Sequence, residues 1–283
     1  MSKIELEAIL FFSQLIEKEI GIQYNEINRH LLENRLHDLA KNLGFQDFSN
    51  FWQDLKGRSL RTNERDLLLD MATNNETTFF RDTEIFEYFR NEFLPKFKGS
   101  TLRIWCAASS TGQEPYSLSI TLSEYKMAGG AIGAYEILAT DYSERVLQQA
   151  KSGIYSQLEI QRGLAPNLLA RYFEPYASDQ STMSKFKIKS EISRAVVFKR
   201  TNLLEPWHHR DAFNIIFCRN VLIYQDIENK RKIISRLAES LTPGGILVLG
   251  GAESLLGLSS DFEMQIFGKA CTYKLKSTFK ASA

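Results

Sequence analysis

Several short stretches carry side chains with more chemistry than packing needs. AASSTGQEPYS follows the apolar run LRIWCA, and its Ala107, Ala108, Ser109, Ser110 and Gly112 are small enough for a ligand to lie against the backbone. Pro115 suits the first turn of a following helix. Glu114 is poorly placed for a phosphate but could receive an ammonium or a sulfonium; the plain alternative is a tight turn with a solvated glutamate. Asp141 ends the run YEILATD, where a carboxylate can accept two hydrogen bonds from ribose hydroxyls or can cap the next helix, as Ser143 also could. Asn202 could read an adenine edge or serve as a turn residue. In FCRNVLIY, Arg219, Asn220 and Tyr224 are polar residues in an apolar run, and buried polar groups need partners. NNETTFFRD, residues 74–82, is the least ordinary stretch: its apolar part is too short for a core element, and no glycine makes a plain turn.

The elements that must hold these residues follow from periodicity. Apolar positions at Ile4, Ala8, Phe11, Phe12, Leu15 and Ile16, then Leu32, Leu36, Leu39, Ala40 and Leu43, read as helices over residues 1–72. A further helix is predicted from Glu84 to about Phe93, ending before Pro95. From Leu102 onward, strands (LRIWCA, YEILATD, FNIIFCRN, GGILVLG) alternate with helices (QEPYSLSITLSEYKM, SERVLQQAKSGI, DIENKRKIISRLAESL). That rhythm means a parallel, doubly wound sheet, with ligands beyond the carboxyl ends of the strands. Strands near Phe262–Phe267 and Thr272–Lys276 would close an edge hairpin, and LTPGG reads as a helix end and turn. Residues 155–197 break the rhythm; a short helix in LAPNLLARYFEP and an alternating strand in SKFKIKSEI suggest a small antiparallel insertion.

Composition narrows the function. A net charge of +1 and no basic tract argue against nucleic acid. No apolar run approaches the ~18 residues of a bilayer span, and early acids speak against a signal peptide, so a cytoplasmic protein is expected. Cys106, Cys218 and Cys271 are spaced as buried reduced thiols rather than metal ligands or a disulfide. The absence of G-x-G-x-x-G and of a P-loop disfavours a nicotinamide dehydrogenase or an NTPase.

In order along almost the whole chain, TNNETTFFRD, CAASSTGQEPYSLSI, ILATDYS, GIY, RYFEP, NLLEPW, FCRNVLIY and LTPGG resemble the chemotaxis receptor methyltransferases, the CheR-type enzymes. The resemblance implies a helical domain at 1–72, a linker and first helix over the cofactor at 73–98, and an S-adenosylmethionine-dependent methyltransferase domain at 99–283. That domain would be an α/β class I methyltransferase sheet, Rossmann-like, with a small inserted β-subdomain at 155–197. It implies methyl transfer to glutamate carboxylates of chemoreceptor cytoplasmic domains. By motif position, Asn75, Thr77, Arg81, Glu114, Asp141, Asn202, Leu203, Asn220 and Val221 would line the cofactor pocket, with Arg81 and Tyr224 nearest the transferred methyl. Asn75 and Thr77 would offer hydrogen bonds, Phe79 and Phe80 would anchor the segment, and Arg81 would meet a carboxylate of cofactor or substrate. Gln113 and Gln225 depart from the family's usual glutamate and aromatic.

Such a reaction needs no base, because a glutamate is ionised at neutral pH; the four histidines (His30, His37, His208, His209) lie outside these motifs. Arg29, Arg35, Lys41, Lys56, Arg58, Arg61 and Arg65 could form a basic receptor-facing surface, although residues 1–75 hold 9 Lys+Arg against 12 Asp+Glu. A monomer without direct membrane insertion is expected. The competing readings are a non-catalytic S-adenosylmethionine-binding adaptor on the same fold, and a class I methyltransferase for small molecules or nucleic acid.

Overall fold

The computed structural model describes residues 4–26, 28–177, 184–209 and 212–279. The first four helices are α1 (Leu6–Ile20), α2 (Arg29–Asn42), α3 (Phe48–Lys56) and α4 (Thr62–Ala72). They close around Phe12, Ile16, Leu32, Leu36, Phe51 and Leu69, all buried. Ala8, Phe12, Ile16 and Ile20 repeat at four-residue steps, so they share one helix face. Phe11 was expected in this core but is 42% exposed, because one residue is about 100° of helix away from Phe12. It rests instead against the Trp52 ring in a tilted contact, 5.7 Å between centroids.

Glu64 fastens this bundle. It is 2% exposed, accepts both Arg58 Nη groups at 2.7 Å and takes the Arg61 N–H at 2.9 Å. The Arg58 hydrogen bond, opposed by burial, holds the Glu64 carboxyl below its ordinary value. A lowered folded value means stability that is present above the unfolded pKa and lost as pH falls through the folded one. Glu64→Gln is therefore expected to cost about 1.5–3 kcal/mol near neutral pH. The cost fades below the ordinary glutamate value of ~4.3. Urea midpoints of both proteins at neutral and acid pH check it.

Next come α5 (Thr83–Tyr88), a π-helical turn (Phe89–Phe93) and one α-turn, α6 (Leu94–Lys96). The helix was expected to stop before Pro95 and does not. Leu94 N–H reaches back five residues to the Phe89 carbonyl, and beyond the proline Phe97 N–H donates to the Phe93 and Leu94 carbonyls at 3.1 and 3.2 Å. The wide turn thus passes over the position where proline has no N–H to give.

The remainder of the chain is built from β1 (Thr101–Cys106), α7 (Gln113–Met127), β2 (Ala134–Asp141), α8 (Glu144–Ser152), β3 (Ile154–Ser156), α9 (Gln157–Gln161), α10 (Pro166–Tyr172), β4 (Phe173–Tyr176), β5 (Lys185–Ile188), α11 (Ser190–Ser193), β6 (Val196–Arg200), β7 (Phe213–Cys218), α12 (Ile227–Ser240), β8 (Leu241–Leu249), β9 (Phe262–Phe267) and β10 (Ala270–Leu275). Seven strands form one sheet in the order β6-β2-β1-β7-β8-β10-β9, parallel up to β8 and antiparallel beyond it. Alternation along β1 feeds two cores: Leu102, Ile104 and Cys106 face α7, while Trp105 joins Ile233, Ile234 and Leu237 of α12. The chain runs outward from β1 to β2 and β6, then returns to β7 on the other side, so the strand order reverses beside β1. A ligand crevice is expected at that reversal.

A separate antiparallel sheet, β3-β5-β4, carries the insertion. Its first strand begins at Ile154, and Val196–Arg200 belongs to the main sheet, parallel to β2. Residues 178–183 of the expected insertion lie outside the described residues. SKFKIKSEI is only partly a strand: Ile188 and Ile192 are both buried at a helical four-residue step, and α11 occupies the second half. The LTPGG turn is absorbed into β8 as an irregularity, where pairing jumps from Phe213↔Leu241 to Ile215↔Ile246.

Candidate active site

All ten residues singled out for the pocket line one cleft at the carboxyl ends of β1, β2 and β7: Asn75, Thr77, Arg81, Glu114, Asp141, Asn202, Leu203, Asn220, Val221 and Tyr224. The empty space of the cleft is about 940 Å³ with the open solvent at its mouth included. Ile20, Ile22, Asn74, Tyr142 and Gln225 also line it and were not foreseen.

The loop after β1 is fixed from two sides. Ser110, at φ +48°, donates its N–H to Asp141 Oδ2 at 2.8 Å and its hydroxyl to the Asn75 carbonyl at 2.8 Å. Asp141 Oδ1 accepts the Ser143 N–H at 3.0 Å, while Ser143 rather than Asp141 caps α8 by accepting from Val146 N–H. Burial pushes the Asp141 carboxyl up, against these backbone hydrogen bonds. The Tyr142 backbone N–H also bonds this carboxylate, so three of its roughly four acceptor positions are used and about one remains for a ligand hydroxyl.

The stretch that lacks a glycine turns anyway. Phe80 and Asp82 both take positive φ, +50° and +57°, a conformation that costs on the order of 1–3 kcal/mol each. Phe79 offsets this: it is fully buried, edge-on to Tyr155 at 5.0 Å and to Phe173 at 5.5 Å. Phe80 is only partly buried, and its N–H donates to Ser117 Oγ at 3.0 Å. Arg81 donates to the Glu76 carbonyl at 3.0 Å and has no carboxylate partner among the described residues. Its charge is thus uncompensated at the cleft wall.

Arg219 is the buried hub beneath that wall. Its side chain is 3% exposed. Nη1 donates to Glu114 Oε2 at 2.8 Å, and Nη2 donates to Asp82 Oδ2 at 2.5 Å and to the Arg81 carbonyl at 2.9 Å. Burial alone would lower the guanidinium pKa, but Glu114 and Asp82 outweigh it and the pKa rises. Sequence reasoning marked Arg219 as a polar residue needing a partner; the partners lie 105 and 137 residues away. Glu114 was expected to face a cationic ligand group, and one of its oxygens is already held by Arg219.

Asn202 is more a turn and docking residue than an open amide edge. Its Oδ1 accepts the Leu204 N–H at 3.0 Å, and its Nδ2 donates to the Glu19 carbonyl at the end of α1 at 3.0 Å. Gln225 similarly donates to the Ile20 carbonyl at 3.0 Å, so this departure from the expected aromatic ties the helical domain to the cleft. Tyr224 Oη accepts from Asn74 Nδ2 at 2.6 Å. Cys106 and Cys218 are buried, and burial pushes both thiols well up, as suits inert core residues; Cys271 is half-buried. No metal-holding cluster occurs among the described residues, and none of their helices is long and apolar enough to cross a membrane.

The expected basic surface is largely neutralised. Arg29 pairs with Glu33, Lys56 with Glu5, Arg58 with Asp54 and Glu64, Arg61 with Glu64, and Arg65 with Glu19. Arg35 turns inward to Tyr24 and the Thr73 carbonyl. Lys41 alone of the seven keeps no such partner among the described residues. Counting residue types could not show this pairing.

Two family models match the chain: a CheR methyltransferase all-alpha domain over residues 7–73 and a CheR methyltransferase SAM binding domain over residues 75–270. The chain is 37% identical over 271 residues to a chemotaxis protein methyltransferase of Vibrio parahaemolyticus, covering 94% of this chain and 95% of the relative. It is 38% identical to that of Vibrio anguillarum, with the same coverage. With a Pseudomonas putida chemotaxis protein methyltransferase it shares 36% identity over 94% of this chain and 96% of the relative.

Proposed function

The chain belongs to the CheR methyltransferase family and is an S-adenosylmethionine-dependent methyltransferase of chemotaxis; on that premise we propose that it esterifies glutamate side chains of chemoreceptor cytoplasmic helices. The observation that carries the glutamate reading is Arg81: a cation without a carboxylate partner among the described residues, on the wall of the same cleft as Tyr224. An incoming carboxylate would complete it with charge-assisted hydrogen bonds.

The cleft suits the cofactor. Asp141 retains an acceptor position for a ligand hydroxyl, the small residues after β1 admit a close backbone approach, and Glu114 and Asp141 bring negative charge toward a cationic ligand. Asn75, Thr77, Asn202, Leu203, Asn220 and Val221 would complete its walls. When bound, S-adenosylmethionine supplies a methyl group already activated on a sulfonium. The residues then have only to align and to exclude water, which can be worth up to ~7–11 kcal/mol when geometry is ideal. Arg81 would orient the attacking carboxylate, and Tyr224, steadied by Asn74, would define the other side. A base is not needed, and none of the four histidines lines the cleft.

The test is methyl transfer from labelled S-adenosylmethionine to a chemoreceptor cytoplasmic fragment, followed by mild base. Label should leave as methanol, as an ester requires. Arg81→Ala should remove transfer, and Tyr224→Phe should slow it about 10²-fold, the size expected of a misaligned reactant. Base-stable label would mean another acceptor atom. Unchanged turnover of Tyr224→Phe would remove the hydroxyl from the reaction.

A further inference from the structure

We propose that Glu253 is a positioning residue for methyl transfer, acting through the segment that carries Asn220, Val221 and Tyr224; this rests on the glutamate-esterification reading above. Glu253 lies in the turn just after β8, within GGAESL, a stretch that no sequence motif singled out. Its carboxylate accepts four backbone N–H groups. Oε2 takes Asn220 N–H and Gly250 N–H, each at 2.7 Å. Oε1 takes Val221 N–H at 2.9 Å and Ile223 N–H at 3.2 Å.

Two oxygens offer about four lone-pair positions, and here all four are used. Glu253 therefore has no capacity left to take a proton or to contact a ligand. What it does is hold backbone. Asn220 sits at φ +58° without being glycine, and Val221 has φ −121° and ψ −43°, so this segment belongs to no regular element that could pair its donors. One 3₁₀ turn, Leu222–Tyr224, follows directly and delivers the Tyr224 ring to the cleft. Gly250 completes the device. A Cβ there would stand 2.9 Å from Asn220 N and 2.6 Å from its Nδ2, so only glycine lets the β8 end approach closely enough for Glu253 to reach.

The experiment is a double-mutant cycle between Glu253→Gln and Tyr224→Phe, read as single-turnover methyl transfer, with S-adenosylhomocysteine affinity measured for each protein. A glutamine turns an NH₂ toward two of the four donors, so the segment loosens. Expected is a loss of about 10–100-fold in rate for Glu253→Gln alone and less than about 3-fold in the Tyr224→Phe background, because both act through one ring. Glu253→Asp keeps both oxygens on a shorter arm and should recover part of the rate. Equal losses in both backgrounds would reduce Glu253 to a fold-stabilising residue and overturn the proposal, as would an unchanged rate. If Glu253→Gln gives no cooperative melt, Glu253→Asp takes its place in the cycle with the same criteria. If the wild type forms no base-labile ester, the glutamate reading fails rather than the clamp. The clamp is then judged by S-adenosylhomocysteine affinity, which Glu253→Gln must weaken, since Asn220 and Val221 line the cleft.

Discussion

Arg219→Met should be both unstable and inactive, and the two losses should separate on adding a second change. The arginine is almost wholly buried and holds Glu114, Asp82 and the Arg81 carbonyl together. Removing it leaves Glu114, itself 8% exposed, as a buried carboxylate without its cation. Breaking a buried pair in this way typically costs about 3–5 kcal/mol, a large part of the ~5–15 kcal/mol that holds a domain folded. Arg219→Lys should rescue little, because one ammonium cannot reproduce a planar fork reaching three acceptors in two directions. Adding Glu114→Gln to Arg219→Met removes the stranded charge, so urea denaturation should recover much of the stability. Methyl transfer should stay lost, since Asp82 and the Arg81 backbone remain unheld. A double variant that regained transfer would show that Arg219 serves the fold alone.

The regular parts of this molecule were legible because they depend on local pattern. Alternating strand and helix periods from Leu102 onward lead to the parallel sheet, and strand ends lead to Asp141 and Glu114. What escaped depends on partners distant in sequence. Asn74 matters through Tyr224, 150 residues away, and Glu253 through backbone 30 to 33 residues earlier. Neither leaves a periodic trace. Pro95 misled for a related reason: its local rule is sound, but a π-turn supplied by the preceding residues removes the need for the missing N–H. Charge counts pointed the right way but stopped short. They give the sign of a segment but not whether Arg65 faces solvent or Glu19.

Gly163→Ala should weaken cofactor binding although residue 163 does not line the cleft. Gly163 follows α9 at φ +105°, a region open in practice to glycine alone. A Cβ there would stand 2.0 Å from the Phe79 carbonyl oxygen and 3.1 Å from its carbon, and backbone cannot swing aside as a side chain can. Either the turn after α9 retreats or Phe79 leaves its cage of Tyr155 and Phe173. Phe79 is the buried anchor of the strained segment that brings Asn75, Thr77 and Arg81 to the cleft. Its release also frees Phe80 and Asp82 to relax from positive φ, so the segment loses its geometry rather than shifting as a block. The expected result is about 10–100-fold weaker S-adenosylhomocysteine binding by calorimetry, in line with about 1.4 kcal/mol per tenfold. A lower melting temperature should accompany it. Gly251→Ala is the control: a Cβ there meets nothing within 4 Å, and affinity should hold. If Gly163→Ala bound as tightly as wild type, the linker would be held by something other than its contact with this turn, and the anchoring role given to Phe79 would fall with it.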